Sequence, residues 1–340
     1  MDPLTQGLLG AVAAQAVFGR RLPRHAAAIG ALSGMAPDLD VLIASASDPL
    51  VAWVYHRHFT HALAFIPFGA ALAALPWWLF ESMRRQWRLL LGASLVAYAT
   101  HAPLDALTSY GTQLLWPFSD HRVALDWMPI IDLVFTPILL LGLVLALWRA
   151  SPQPARAALA LALAYIGFGA WQHGAAIDAQ HQLAQARGHT IERGRVMALP
   201  GSLVVWRSLY LADGQLHADG VRVPWRGAVE VQPGSSRPLA MPPAGVGSVA
   251  DRAREAWAVF AWFAQGDVIE VAPGIYGDAR YSLDPAGFAP LWGLGIAPDS
   301  GMAYAWDPPT ARDLRTVREL WRLKTEGDPR YRPLETGLAR

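Results

Sequence analysis

Long apolar runs fill the first half of the chain. Residues 4–18 and 26–43 come first, and the second run ends in Pro37, Asp38 and Asp40. Residues 59–78 follow with His61 as the sole ionisable group, then 89–107, interrupted by His101 and Asp105. Residues 130–148 carry only Asp132, and 157–176 only His173. A helix needs about 20 residues to cross a bilayer. The last four runs therefore predict membrane spans, and the first two predict short, tilted or re-entrant ones. The pattern changes after residue 176. Residues 196–211, closed by the turn signal Asp213-Gly214, predict a strand, as do 221–231, 267–272 and 275–283. Residues 250–265 and 311–323 have helical spacing, 232–246 reads as a Pro/Gly/Ser loop, and 327–340 as a poorly ordered tail. The predicted fold class is an α-helical polytopic membrane domain of about six segments over 1–176, followed by a mixed α+β domain over 177–340.

Composition sharpens this division. The chain of 340 residues is 53% hydrophobic and only 16% charged, where an ordinary soluble protein carries about 25% charge. Residues 1–175 hold 10 Arg and 9 acidic residues, and 176–340 hold 18 of each sign. A net charge of +1 gives no pull toward nucleic acid. Cysteine is absent, which excludes disulfides, thiolate zinc sites and cysteine nucleophiles. Eight arginines (Arg20, Arg21, Arg24, Arg84, Arg85, Arg88, Arg149 and Arg156) fall in alternate predicted loops, against Arg57 and Arg122 in the others. The positive-inside rule then places the eight in the cytoplasm and the second half of the chain outside it.

Ionisable groups gather at the opposite ends of the predicted segments. They are Asp2, Asp38, Asp40, His56, His58, His61, His101, Asp105, Asp126 and Asp132. Such groups beside apolar segments default to a functional reading. Imidazoles and carboxylates without thiolate suit zinc, manganese or iron. His101 and Asp105 stand at i and i+4 and share a helical face. Asp38 and Asp40 alternate, so an extended turn would point both the same way. His56 and His61 meet only if His56 lies in the preceding turn, whereas His58 and His61 share a face; spacing leaves the choice open.

Several motifs resemble a known family. Met1-Asp2-Pro3-Leu4-Thr5-Gln6, Pro37-Asp38-Leu39-Asp40, His56-Arg57-His58-Phe59-Thr60-His61 and the stretch from His101 to Gln113 occur in order. Trp116-Pro117-Phe118-Ser119 and Ile130-Ile131-Asp132 extend the match. Together they resemble the YdjM-like family of bacterial inner-membrane proteins, described as metal-dependent hydrolases. Asp278-Ala279-Arg280-Tyr281 resembles a short motif of its long-tailed members. The resemblance implies metal ligands at Asp38, Asp40, His56, His61, His101 and Asp105, and it favours His56 over His58. It places Gln6, where many relatives carry His, behind the ligands. It implies a multi-pass protein of the bacterial inner membrane.

The expected function is hydrolysis of an ester or phosphoester, lipid-linked or small, at the outer membrane face. One or two divalent ions, zinc first, would activate water. One division puts Asp38, His101 and Asp105 on one ion and Asp40, His56 and His61 on another. Asp2 and Asp132 are candidates for general base or for orienting histidines, and Arg57 for steadying an anionic oxygen. The expected partners are the lipid bilayer and a small-molecule or lipid substrate, not nucleic acid. Two other classes compete. A metal or proton transporter would need polar groups along the other half of the segments, where Ser94 and Glu81 are the main candidates. A scaffold stapled by a metal ion would need no reaction at all.

Overall fold

The computed structural model describes residues 1–23, 25–308, 322 and 328–334. Arg24, the predicted helix over 311–323 apart from Arg322, and the ends of the predicted tail lie outside them. The chain divides into two compact units, Met1–Ile43 with Tyr55–Ala170, and Ala44–Val54 with Trp171–Arg340.

The first unit is helical. Asp2 caps α1 (Pro3–Phe18): its carboxylate accepts the Thr5 N–H at 3.0 Å, and Pro3 presets the first turn. α2 (Ala26–Met35) packs tightly on α1. Glycines line that crossing. A Cβ on Gly10 would lie 2.4 Å from the Gly30 carbonyl oxygen, and one on Gly34 would lie 2.8 Å from that of Gln6. Only residues this small let two backbones touch. Pro37 then ends α2 and a 3₁₀ turn, Ala36–Leu42, carries Asp38 and Asp40. α3 (Leu50–Tyr55) belongs to the second unit except for Tyr55; from there the first unit continues with 3₁₀ turns at Phe59–His61 and Leu63–Phe65, then α4 (Ile66–Ala74) and α5 (Glu81–Arg85). α6 (Trp87–Ala106) packs against α1, α2 and α4, with Ala14, Ile29, Met83 and Leu90 in the shared core. α7 (Phe135–Trp148) packs on α1, and α8 (Gln153–Ala186) follows, continuing past Ala170 into the second unit.

The expectation of about six membrane segments is overturned. Among the described residues one helix, α8 with 34 residues, is long and apolar enough to cross a bilayer. A second span exists only if Leu50–His61 and Leu63–Leu79, bent by 58°, count together as one broken span. The reasons are local. α1 has 16 residues and α2 has 10, or about 24 and 15 Å of helix. The run over 59–78 is cut at Ala62, whose extended ψ of 139° separates two 3₁₀ turns, and again at Pro76. α6 has 20 residues, but Arg88, His101, Pro103 and Asp105 dilute its apolar character. The run over 130–148 becomes helical only at Phe135 and lasts 14 residues. With the six crossings goes the arginine argument for sidedness, since it needs loops on alternating sides.

The second unit is built on two antiparallel sheets. β1 (Arg193–Ala198), β2 (Val205–Ala212) and β3 (Gln215–Arg222) form a meander. The predicted strand over 196–211 is thus two, parted at Pro200-Gly201. Asp213 and Gly214 join β2 to β3 with φ of 50° and 69°, the paired left-handed values that a two-residue hairpin turn requires. β4 (Glu230–Gln232) pairs with β3, and β5 (Ser236–Pro238) adds to β3 from within the predicted loop. α9 (Ser248–Phe263) precedes the second sheet: β6 (Val268–Ala272), β7 (Ile275–Asp278), β8 (Gly293–Ile296) and β9 (Ala303–Trp306) in that order. β10 (Arg332–Pro333) closes the first sheet against β4.

Candidate metal centre

Three elements of the helical unit bring four side chains together. α6 supplies His101 and Asp105 one turn apart, the 3₁₀ turn after α2 supplies Asp38, and the turn at Phe59–His61 supplies His61. One ligand atom from each lies within 4.8 Å of all the others. His61 and His101 face each other, Nε2 to Nε2, at 3.0 Å. Asp38 Oδ1 stands 3.3 Å from the His101 Nε2 and 3.5 Å from the His61 Nε2. Asp105 Oδ2 stands 3.4 and 3.3 Å from the same two nitrogens. His61, His101 and Asp105 are fully buried, while the Asp38 side chain keeps 18% of its exposure and forms the open side.

The surroundings fix the imidazoles. His101 Nδ1 lies 2.6 Å from the Gly34 carbonyl oxygen. A carbonyl only accepts, so Nδ1 carries the proton and Nε2 presents a lone pair. That carbonyl belongs to a glycine of the α1–α2 crossing, on a helix that also packs against α6. His61 Nδ1 faces the Asp40 carboxylate at 3.3 Å and the Thr60 hydroxyl at 3.0 Å, which turns its Nε2 to the same point. Carboxylate or carbonyl behind a histidine is the usual support of a metal ligand.

Asp105 is held from behind. Gln6 Nε2 donates to Oδ1 at 2.8 Å and to the His101 carbonyl at 3.3 Å, and the Met1 amino group also donates to Oδ1. Arg57 Nε lies 3.1 Å from Oδ2, and its Nη1 donates to the Thr108 hydroxyl at 3.0 Å. Arg57 has a φ of 62°, a left-handed value uncommon outside glycine. That conformation aims its N–H at Asp40 Oδ2 (2.8 Å) while the guanidinium reaches Asp105.

Burial alone would raise the pKa of every carboxylate here. In Asp38, when no metal is bound and the imidazoles carry a proton on Nε2, the hydrogen bonds from His101 and His61 outweigh it and hold the group below the usual carboxylate range. In Asp40 the hydrogen bonds from His56 and His61 do the same. In Asp105 the Arg57 charge is the largest opposing influence, and the group stays well below the ordinary value.

The donor set fits a divalent cation. Two imidazole lone pairs and two carboxylate oxygens converge, and the buried Asp105 Oδ2 makes no aligned hydrogen bond, only the ion pair with Arg57. A proton could join only two of the four atoms; a cation with nitrogen and oxygen preference satisfies them all.

Other sequence-derived candidates lie elsewhere in this unit. Asp38 and Asp40 do not point the same way. The 3₁₀ turn spaces residues by about 120°, so i and i+2 diverge. Asp40 accepts from His56 Nδ1 at 2.9 Å and from the Thr60 hydroxyl at 3.2 Å, behind His61. His56 meets Asp40 and not the four-atom cluster. His58 packs its ring beside Tyr55, Phe59 and Trp116. Of the two expected trios, Asp38, His101 and Asp105 do lie together, and His61 joins them rather than grouping only with Asp40 and His56. Asp2 serves as the α1 cap, its Oδ2 accepting from the Thr5 hydroxyl at 2.6 Å. Asp132 accepts the Val134 and Phe135 N–H groups at 2.8 Å and the Tyr165 hydroxyl at 3.0 Å, at the start of α7. Asp126 is buried with a φ of 61° and is not in the cluster. Gly34 was missed by the sequence reading; the Gly30-x₃-Gly34 spacing in an apolar helix was the signal for it.

Residues 1–176 match the family model described as "YdjM inner membrane protein". Over 147 residues the chain is 29% identical to the "Uncharacterized protein YfhP" of Bacillus subtilis (strain 168), a stretch that is 42% of this chain and 43% of that protein. The chain thus matches less than half the length of this curated relative. No solved structure matches the chain. With more than half of its length covered by that model, the chain belongs to the YdjM inner membrane protein family.

Proposed function

We propose that the chain is a metal-dependent hydrolase of the inner membrane, cleaving an ester or phosphoester. The observation that carries this reading is the convergence of Asp38, His61, His101 and Asp105 with both imidazole Nε2 atoms turned inward. These four residues would hold the ion. A divalent ion in such a site supplies Lewis acidity and lowers the pKa of a coordinated water toward 7. Asp40 and the Gly34 carbonyl keep the imidazoles in the ligating tautomer. Arg57, fixed by Thr108 and by its place over the Tyr110 ring at 4.7 Å, adds a buried positive charge beside the cluster. That charge favours an anionic ester oxygen. The open Asp38 edge is where substrate would enter. In the overall reaction the water oxygen bonds to carbon or phosphorus, and the ester oxygen leaves as an alcohol with the proton.

The transport reading gains nothing from its two candidate residues. Ser94 is paired with Ser33 at 3.1 Å in the core, and Glu81 makes an exposed ion pair with Arg85. Elemental analysis of the purified protein, with assays on a panel of esters and phosphoesters before and after chelation, tests the proposal. Stoichiometric metal with chelator-sensitive hydrolysis is expected. Metal-independent behaviour throughout, or metal flux into proteoliposomes without hydrolysis, would reject it.

A further inference from the structure

The helical unit carries an apolar groove of about 650 Å³, within the range of ligand pockets, about 300–1,000 Å³. Leu32 and Met35 of α2, Leu39 of the 3₁₀ turn, and Phe65, Leu72 and Ala73 form its walls. Its polar members are Asp38, Thr60 and Tyr98. Asp38 is one of the four residues of the cluster, and the Thr60 hydroxyl donates to Asp40. The Tyr98 hydroxyl donates to the Thr60 carbonyl at 2.8 Å. Gly69 makes room for that tyrosine, since a Cβ there would lie 2.2 Å from its ring. One side of the groove is therefore hydrocarbon and another is the candidate metal centre. The rim is apolar too: Leu32, Leu39 and Leu72 are 55%, 62% and 58% exposed.

This juxtaposition selects a class of substrate. A short water-soluble ester would leave the walls hydrated. A hydrocarbon chain gains about fourfold in binding for each methylene it buries. A family housed in the inner membrane meets such chains at high concentration. We infer that the groove holds the hydrocarbon tail of a membrane lipid, with the lipid's ester or phosphoester head group at Asp38 and the cluster. This rests on the hydrolase reading of the cluster.

The test uses the full chain purified in detergent, with hexadecyl phosphate carrying a diazirine near the chain end. Photolabelling should map to residues 32–39 and 65–76. Unlabelled hexadecyl phosphate should compete and butyl phosphate should not. Ala73→Trp and Leu72→Trp, which fill the groove, should each lower labelling at least tenfold while metal content stays unchanged. Scattered labelling in the wild-type protein, or equal competition by butyl phosphate, would overturn the groove assignment and leave the hydrolase reading intact. Competed labelling in the groove of a protein that holds no metal would instead refute the hydrolase reading and keep the groove as a lipid site.

Discussion

Both units bury charged groups, but they do so in opposite ways. In the sheet unit, Arg207 donates from all three nitrogens to the carbonyls of Ala279, Asp284 and Pro285 at 2.8–3.2 Å. Burial lowers its pKa to about 10, against the opposing pull of Asp284 and its neighbours. Arg280 grips both oxygens of Asp278 at 2.9 and 2.7 Å and also reaches the Phe263 carbonyl. Donors there meet acceptors, and the network is closed. In the helical unit, four acceptor atoms face one another, and a cationic side chain, Arg57, stands beside Asp105 Oδ2 alone. Burial and shifted pKa values are common to both units; only convergence of acceptors marks a site for a cation.

Removing one carboxylate from each network should separate the two. Asp105→Ala leaves Arg57 buried beside an emptied site, and Asp278→Ala leaves Arg280 buried without its partner. Each should cost about 3–5 kcal/mol of stability. Asp105→Ala should also abolish bound metal, as should His101→Ala, whereas Asp278→Ala should leave the metal content of the folded protein unchanged. Thermal melts paired with elemental analysis measure both effects.

Smaller changes probe how the histidines are held. Gly34→Ala forces a Cβ to within 2.8 Å of the Gln6 carbonyl oxygen. It should cost about 1–3 kcal/mol and weaken metal binding by shifting the carbonyl behind His101. Asp40→Asn keeps the packing but removes the charge behind His61, and a drop of about 10–100-fold in metal affinity is expected in competition titrations.

Acidity supplies a gentler perturbation. Asp38 and Asp40 have folded-state pKa values below their unfolded ones. Their stabilisation is therefore complete above about pH 4 and is lost only as pH falls through the lowered values. Burial opposes a charge on His61, but its hydrogen bonds to Asp105, Asp38 and Asp40 raise its pKa to about 10, so a metal must displace a proton there and metal affinity should fall as pH falls. Carboxylate titration should appear only in stronger acid. At the bottom of the scale, Glu81→Gln breaks an ion pair whose side chains are 77% and 67% exposed, and no measurable loss of stability or metal is expected.

The site was more legible in the sequence than the fold around it. His101 and Asp105 at i and i+4 imposed their own geometry once the helix formed, and the order of the other motifs pointed to the same place. The 3₁₀ turn after Pro37 was not legible as such, and it decides that Asp38 faces the cluster while Asp40 stands behind it. The supporting Gly34 carbonyl depends on a helix crossing that hydropathy does not record. Apolar runs also overstated the number of spans. Length in residues becomes length in ångströms only if the helix is continuous, and Ala62, Pro76 and the late start of α7 break that continuity. In the sheet unit, Asp213-Gly214 marked a real hairpin, while Pro200-Gly201 inside an apolar run was passed over as a strand break.

X-ray absorption at the metal edge of the purified protein tests the central claim most directly. The account predicts one bound divalent ion per chain with two imidazole nitrogens among its nitrogen and oxygen ligands. A protein free of metal after reconstitution, or an ion whose shell contains no imidazole, would contradict it.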